Sequence, residues 1–342
     1  MTRLPRIGAV FAPVAETPEH IRLAEALGFE CAWVYDSPLL YHDPFVTLAL
    51  AAERTSSIGL GVGVLVPGLR APVATAAAVR TLTALAPGRV RLAVGAGFTG
   101  RFTLGLGPVS LRALEREVTD LRALLAGEEA AHPEGGRPVR PIPVPGAEPG
   151  AGSVPIAVSC RGPKAQALAG RIGDAAMTGI FYPGGLGLVR AGVGDRIPLV
   201  AHAVSAVAGE GEPLDSPRLA AAVGPVVAVA FHAFAEQPWR LEGLDPALRA
   251  QADRYLARIA ADLPGDRRHQ QLHRGHLVEI VHEADREVVT PENVARFAFC
   301  GTARELVERA EALAADGVTD LALQPGGDVP AELRRLAGAL IG

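Results

Sequence analysis

Four short stretches of this chain hold residue types that could do chemistry. In "SCRGP", Ser159 to Pro163, small residues and Gly162 run into a helix that Pro163 opens. Such a turn leaves backbone N–H groups free at a helix N-terminus, which attracts an anion, and Arg161 and Lys164 add positive charge. A cofactor phosphate and an ordinary strand-to-helix turn both fit that spacing. Asp36 follows an apolar run and can hydrogen-bond a ligand or cap the next loop, capping being the commoner use. His42, between Tyr41 and Asp43, is placed for proton transfer if that loop borders a site. In "HRGHL", His273 and His276 can share one helical turn, with His282 and Glu283 nearby. Their spacing matches no strong zinc motif, so hydrogen-bonded histidines without a metal are expected.

Other chemistries lack their residues. Cys31, Cys160 and Cys300 are odd in number and far apart, which gives neither a disulfide framework nor a metal-ligand pattern, and they read as small buried residues. Lys164 is the only lysine, so a Schiff base would have to form there. No Gly-x-Ser-x-Gly or Walker sequence occurs, which removes serine hydrolases and P-loop enzymes.

The candidate residues need elements to position them, and the chain supplies a regular set. Short Val- and Ile-rich runs alternate with helical patterns of about ten to fifteen residues, the signature of repeated βα units and a parallel sheet. Eight runs are visible: 6–11, 30–35, 58–66, 89–95, 154–159, 174–179, 197–207 and 320–325. Thr17 is expected to N-cap the first helix with Pro18 at its first position, Asp43-Pro44 to open the second, and Thr302 with Glu305 to form a capping box on a late one. Eight units favour a closed α/β barrel of the TIM type over an open sheet. Chemistry then belongs at the carboxyl ends of the strands, where Asp36, residues 95–101 and residues 159–163 fall. Two stretches, 127–153 and 208–300, are insertions in this single domain of residues 1–342. The second is too long for a loop and carries helical patterns near 245–262 and 291–298. The run "GLGVGVLVPGLRAPV", residues 59–73, reads as a strand with glycines where a bulge or a close approach needs space.

Of the 342 residues 49% are hydrophobic and 20% charged, with a net charge of −4. That is an ordinary globular composition without the basic field that would advertise nucleic acid. The apolar run at the N-terminus is too short for a signal core or a membrane span, so a cytoplasmic enzyme is expected and no membrane partner.

In order, "AEALGFECAWVYDS", the stretch from "DPFVTLALAAERTSS" to "RVRLAVGAGF", "SCRGPKAQALAGRIGDAA" and "GTARELVERAEALAADGVTDLALQP" resemble the bacterial luciferase-like monooxygenase superfamily. The resemblance implies a TIM barrel that binds FMN or the deazaflavin coenzyme F420 at its carboxyl face. It implies a bulged third strand whose non-prolyl cis peptide, here Gly63–Val64, backs the ring. On this reading Asp36, Ser37, Gly63, Val64, Val66, Ala96, Gly97 and Phe98 contact the cofactor, and Ser159, Cys160, Arg161, Gly162 and Pro163 hold its phosphate. The arrangement resembles the methylenetetrahydromethanopterin reductase-like, F420-dependent branch more than the two-component luciferases.

Two departures narrow the chemistry. Some sugar-phosphate dehydrogenases of that branch have a catalytic Asp-His pair where this chain has Asp36-Ser37, and an acidic residue where Phe98 stands. Their mechanism does not transfer. The expectation is an F420H2-dependent reductase of an electron-poor C=C, C=N or C=O bond in a small-molecule or peptide natural product, with His42, Tyr41 or His276 as the acid. The alternative is an FMN-dependent monooxygenase that uses O2 and a partner flavin reductase. A homodimer is implied by the resemblance.

Overall fold

The computed structural model describes residues 4–132, 135–146, 150–181, 185–263 and 265–342. All eight apolar runs are strands: β1 (Arg6–Phe11), β2 (Cys31–Val34), β3 (Gly59–Leu65), β4 (Val90–Val94), β5 (Ile156–Ser159), β6 (Ala175–Gly179), β7 (Leu199–Val207) and, after one more, β9 (Asp320–Pro325). Neighbours pair in parallel in the order β6-β5-β4-β3-β2-β1-β9-β7, and a β6–β7 pairing closes the eight into a barrel. The extra strand, β8 (Phe299–Gly301), was not visible in the sequence. Its three residues are too few to show an alternating pattern, and it pairs only with Ser205–Val207 at the far end of the long β7.

Helices wrap this barrel: α1 (Thr17–Ala26), α2 (Pro44–Ala52), α3 (Pro72–Leu85), α4 (Thr99–Phe102), α5 (Leu111–Leu125), α6 (Pro163–Ile172) and α7 (Leu186–Val193). Their starts follow local chemistry. Asp43 accepts hydrogen bonds from Phe45 N and Val46 N and so caps α2, as expected. Thr17 behaves differently. It is the first residue of α1 and is buried, and its hydroxyl donates to Ala12 O and accepts from Val14 N, so it fastens the turn after β1 and does not cap. In the 127–153 stretch an antiparallel bridge joins Ala130 to Val139, while residues 133–134 and 147–149 lie outside the described ones.

The long excursion between β7 and β8 folds as α8 (Pro217–Glu236), α9 (Pro246–Asp262), α10 (Arg268–Gln271), α11 (Glu283–Glu287) and α12 (Pro291–Phe297). Helices α9 and α12 meet the expectation. The apolar α8, not anticipated, is long enough to cross a membrane, yet most of it is buried in a second apolar cluster with Leu248, Tyr255 and Ile259. The chain returns through α13 (Ala303–Ala315), where Thr302 and Glu305 form the expected capping box, and ends with α14 (Val329–Leu340).

Inside the barrel, Val10, Cys31, Trp33, Ala93, Ala157, Met177, Val200 and Ala322 form a separate cluster of mostly small side chains around one indole. This explains the glycines of β3 as a close approach within the barrel. A Cβ at Gly61 would overlap the Trp33 ring, and one at Gly63 would stand 2.8 Å from Trp33 Cε3. A Cβ at Gly59 would stand 3.1 Å from Cys31 Sγ. The glycines make room first for a tryptophan that fills the barrel.

Candidate active site

The loop after β2 brings Asp36, Ser37 and Tyr41 to the carboxyl face. Asp36 is buried and neither carboxyl oxygen has a hydrogen-bond partner among the described residues. The nearest cation, Arg70 Nη2, is 3.9 Å away and is held at 2.6 Å by Asp43 Oδ2. Burial raises the Asp36 carboxyl above its ordinary value, against the opposing pull of Arg70. Asp36 is therefore not the loop cap that composition favours. Ser37 O does that work by accepting from Leu40 N and Tyr41 N. A buried carboxyl without a partner is costly in a folded protein, and its persistence points to a ligand.

The loops after β3 and β4 form a narrow cradle beside it. The strand register shifts between Gly63 and Leu65, marking the bulge, and the Gly63–Val64 peptide is cis. A Cβ on Gly95 would lie 3.0 Å from Val64 Cγ2 and 3.1 Å from Ser159 Cβ. Gly97 has φ +80° and a Cβ there would meet Val66 Cγ1 at 2.6 Å, so only glycine fits. Between them Ala96 accepts at its carbonyl from Val109 N. Phe98, at the head of α4, packs edge-on against Phe102 with the Arg240 guanidinium 5.7 Å from its ring.

At the other end of the cradle, Gly162 is the N-cap of α6, and Arg161, Gly162, Pro163 and Lys164 are all exposed. Cys160 N–H is spent on Met177 O, so any amide offered to an anion lies beyond it, at the start of α6. The Cys160 thiol is buried and pushed up to about 12, which rules it out as a nucleophile. Positive charge converges here. Burial and then Arg161 lower Arg240 to about 10, and the same two causes lower His202 to about 4. His202 is accessible to solvent yet deep in surrounding protein, so it lines the open mouth as a neutral imidazole.

Of the three proposed acids, two are brought together. Tyr41 Oη donates a short hydrogen bond to the His276 carbonyl and stands edge-on to Tyr35, 5.2 Å between ring centroids. Burial raises both phenols. Gln324 Nε2, at the end of β9, donates to Leu277 O at 3.1 Å, so the 272–278 turn is seated on the barrel by two contacts. His276 is buried, with Nε2 3.0 Å from Thr99 Oγ1, and burial followed by His273 holds it well below its ordinary pKa. His42 is exposed, its backbone N–H on Pro13 O, and no hydrogen bond joins its ring to the others among the described residues.

Sequence reading missed Arg70, His202, Arg240 and Gln324. His202 and Gln324 had a signal, since both occupy inward positions of mostly apolar strands, two residues from Val200 and Ala322. Arg70 and Arg240 had none, because each reaches the mouth from a segment without periodic pattern.

Comparison with known proteins accords with this geometry. A family model for luciferase-like monooxygenases matches residues 3–320. A 5,10-methylenetetrahydromethanopterin reductase of Methanolobus tindarius is 31% identical over 175 residues, 50% of this chain and 52% of that protein. The chain thus matches about half the length of such a relative. Among solved structures, a coenzyme F420-dependent tetrahydromethanopterin reductase from Methanopyrus kandleri superposes with TM-score 0.69 at 20% identity, covering 99% of each chain. The oxygenating component of a Pseudomonas putida diketocamphane monooxygenase, in complex with FMN, gives 0.63 at 15% identity, covering 98% of this chain and 96% of that one. At these identities the two structures speak for the fold.

Proposed function

This chain belongs to the luciferase-like monooxygenase family, and we propose that it is an F420H2-dependent reductase of an electron-poor C=C, C=N or C=O bond in a small-molecule or peptide natural product. The observation that carries this is the mouth itself: the buried, unpartnered Asp36 carboxyl beside the bulged end of β3, joined to a cationic helix start. A flat ring with a polar edge and a phosphate-bearing tail suits both ends. F420 is favoured over FMN because the methanopterin reductase relative and the methanopterin reductase structure point to one reaction class, and that structure is of an F420-dependent enzyme. When bound, reduced F420 supplies hydride from carbon and reacts poorly with O2.

The side chains around the cradle then have definite work. Gly162 and Lys164 amides, with Arg161 and Arg240, hold the phosphate. Val64 and Val66 back the ring. Asp36 offers its unpartnered carboxyl to a polar edge of the ligand. Phe98 and Ser37 add no charge of their own where the ring would lie, and Phe98 limits water. Tyr41, whose raised pKa keeps its proton, is the proposed donor to the reduced carbon or heteroatom, and its O–H must turn from the His276 carbonyl to reach it. His42 stands apart from this arrangement. The reading includes a cytoplasmic homodimer, supported by exposed Val46 and Leu50 on α2 and Val73 on α3, and gel filtration checks it.

Fluorescence titration with F420 and with FMN tests the cofactor. The expected result is F420 binding and substrate-dependent oxidation of F420H2. FMN binding without F420 binding overturns the proposal in favour of a monooxygenase fed by a flavin reductase.

A further inference from the structure

Beneath the mouth, where α8 and the 272–278 turn cover the barrel, three buried imidazoles converge. They are His232 on α8, His273 and His276, and one ring nitrogen of each lies within 4.8 Å of the other two. The Nδ1 atoms of His273 and His276 are 3.3 Å apart. Every Nε2 is held from outside: His232 by Asp285 Oδ1 at 3.1 Å, His273 by Glu236 Oε1 at 2.6 Å, and His276 by Thr99 Oγ1 at 3.0 Å.

These outer contacts set the tautomers. A carboxylate can only accept, so His232 and His273 donate Nε2–H and carry bare lone pairs at Nδ1. Asp285 Oδ1 also accepts from Tyr255 Oη at 2.8 Å, so it faces two donors. His232 Nδ1 has no hydrogen-bond partner among the described residues. The ring pairs are steeply inclined, 87° for His232 with His273 and 70° for His273 with His276, so they splay about a common centre and do not stack.

His273 Nδ1 and His276 Nδ1 lie within hydrogen-bond reach of each other, but His232 Nδ1 is a buried acceptor left unmatched, which costs about 1–3 kcal/mol. One cation at the centre would engage all three nitrogens and remove that penalty. Nitrogen ligands about 2.0–2.1 Å from a tetrahedral zinc lie about 3.3–3.4 Å apart, which is the His273–His276 spacing seen here. Carboxylate and hydroxyl partners on the outer ring nitrogen are also what metal-bound histidines carry.

We propose that His232, His273 and His276 bind one first-row divalent metal ion of the zinc class through Nδ1, with Asp285, Glu236 and Thr99 as orienting partners. The ion would tie α8 and the 272–278 turn to the loop after β4 through Thr99. Through the His276 carbonyl it would also fix Tyr41 on the loop after β2. This site does not depend on which flavin the mouth accepts.

The test uses the untagged full-length chain purified without chelators. Elemental analysis should find one metal ion per chain. After stripping, zinc titrated against a chromogenic chelator should bind at 1:1 and raise the melting temperature. His232→Ala should abolish that binding. Should this variant fail to fold, Asp285→Asn, which spares all three ligands, should weaken zinc about 10–100-fold. His269→Ala, on a half-buried histidine outside the cluster, should leave binding unchanged. Substoichiometric metal with no zinc-dependent rise in melting temperature overturns the proposal, as does full zinc affinity in folded His232→Ala.

Discussion

The interior of the barrel and its carboxyl mouth are built from the same strands by opposite rules. In the interior, one indole meets glycines and alanines so closely that added carbon atoms have nowhere to go. At the mouth, a carboxyl and a guanidinium nitrogen are buried without hydrogen bonds among the described residues, and Arg161 acts on both Arg240 and a neutral histidine. The interior is finished when the chain has folded. The mouth carries polar groups that folding leaves unmatched, the mark of a surface arranged for a ligand, and the division follows the stable and functional ends of such barrels.

Four substitutions probe that division, in falling order of effect. Trp33→Ala should cost about 3–5 kcal/mol in chemical denaturation, since it empties the centre of the interior. Loss of cofactor binding with stability intact would break the comparison. Arg161→Ala should do the reverse, weakening a phosphorylated cofactor by about 1.5–3 kcal/mol, roughly 10–150-fold, with little change in melting temperature. Gly61→Ala should destabilise by about 1–3 kcal/mol through overpacking. Combined with Trp33→Phe it should cost less than the two single changes summed, because the smaller ring vacates the space the methyl needs.

Asp36→Asn is the subtlest and carries a pH signature. Burial raises the Asp36 pKa, so the folded protein binds that proton more tightly than the unfolded chain does. The stability it contributes is full below the unfolded pKa and declines as pH rises through the raised value. Asparagine stays neutral. The variant should therefore melt above the parent by about 2–4 °C near pH 8, with the gain fading toward about pH 4, while cofactor affinity falls. A lower melting temperature at both pH values would show that Asp36 belongs to the packed interior.

The mouth was legible where its signal is backbone. The turn at Gly162, the bulge at Gly63 and the caps at Asp43 and Thr302 each depend on residues within a few positions, so their types announce them. The glycines of β3 were legible as a demand for space, but not for whose space, because Trp33 belongs to the neighbouring strand. Asp36 was legible only as an acid after a strand; whether it capped or stayed bare depended on Asp43 claiming Arg70 and Ser37 O claiming the loop amides.

By itself the sequence determined the eight barrel strands, the carboxyl-face loops and the helix start at Gly162, since period-two patterns and caps arise between near neighbours along the chain. Tertiary structure alone decided that His232 meets His273 and His276, that Glu236, Asp285 and Thr99 hold their outer nitrogens, and that His42 stands apart from Tyr41 and His276. Those contacts depend on the path of a long excursion back across the barrel, and convergence of side chains so far apart in the chain leaves no local pattern to read.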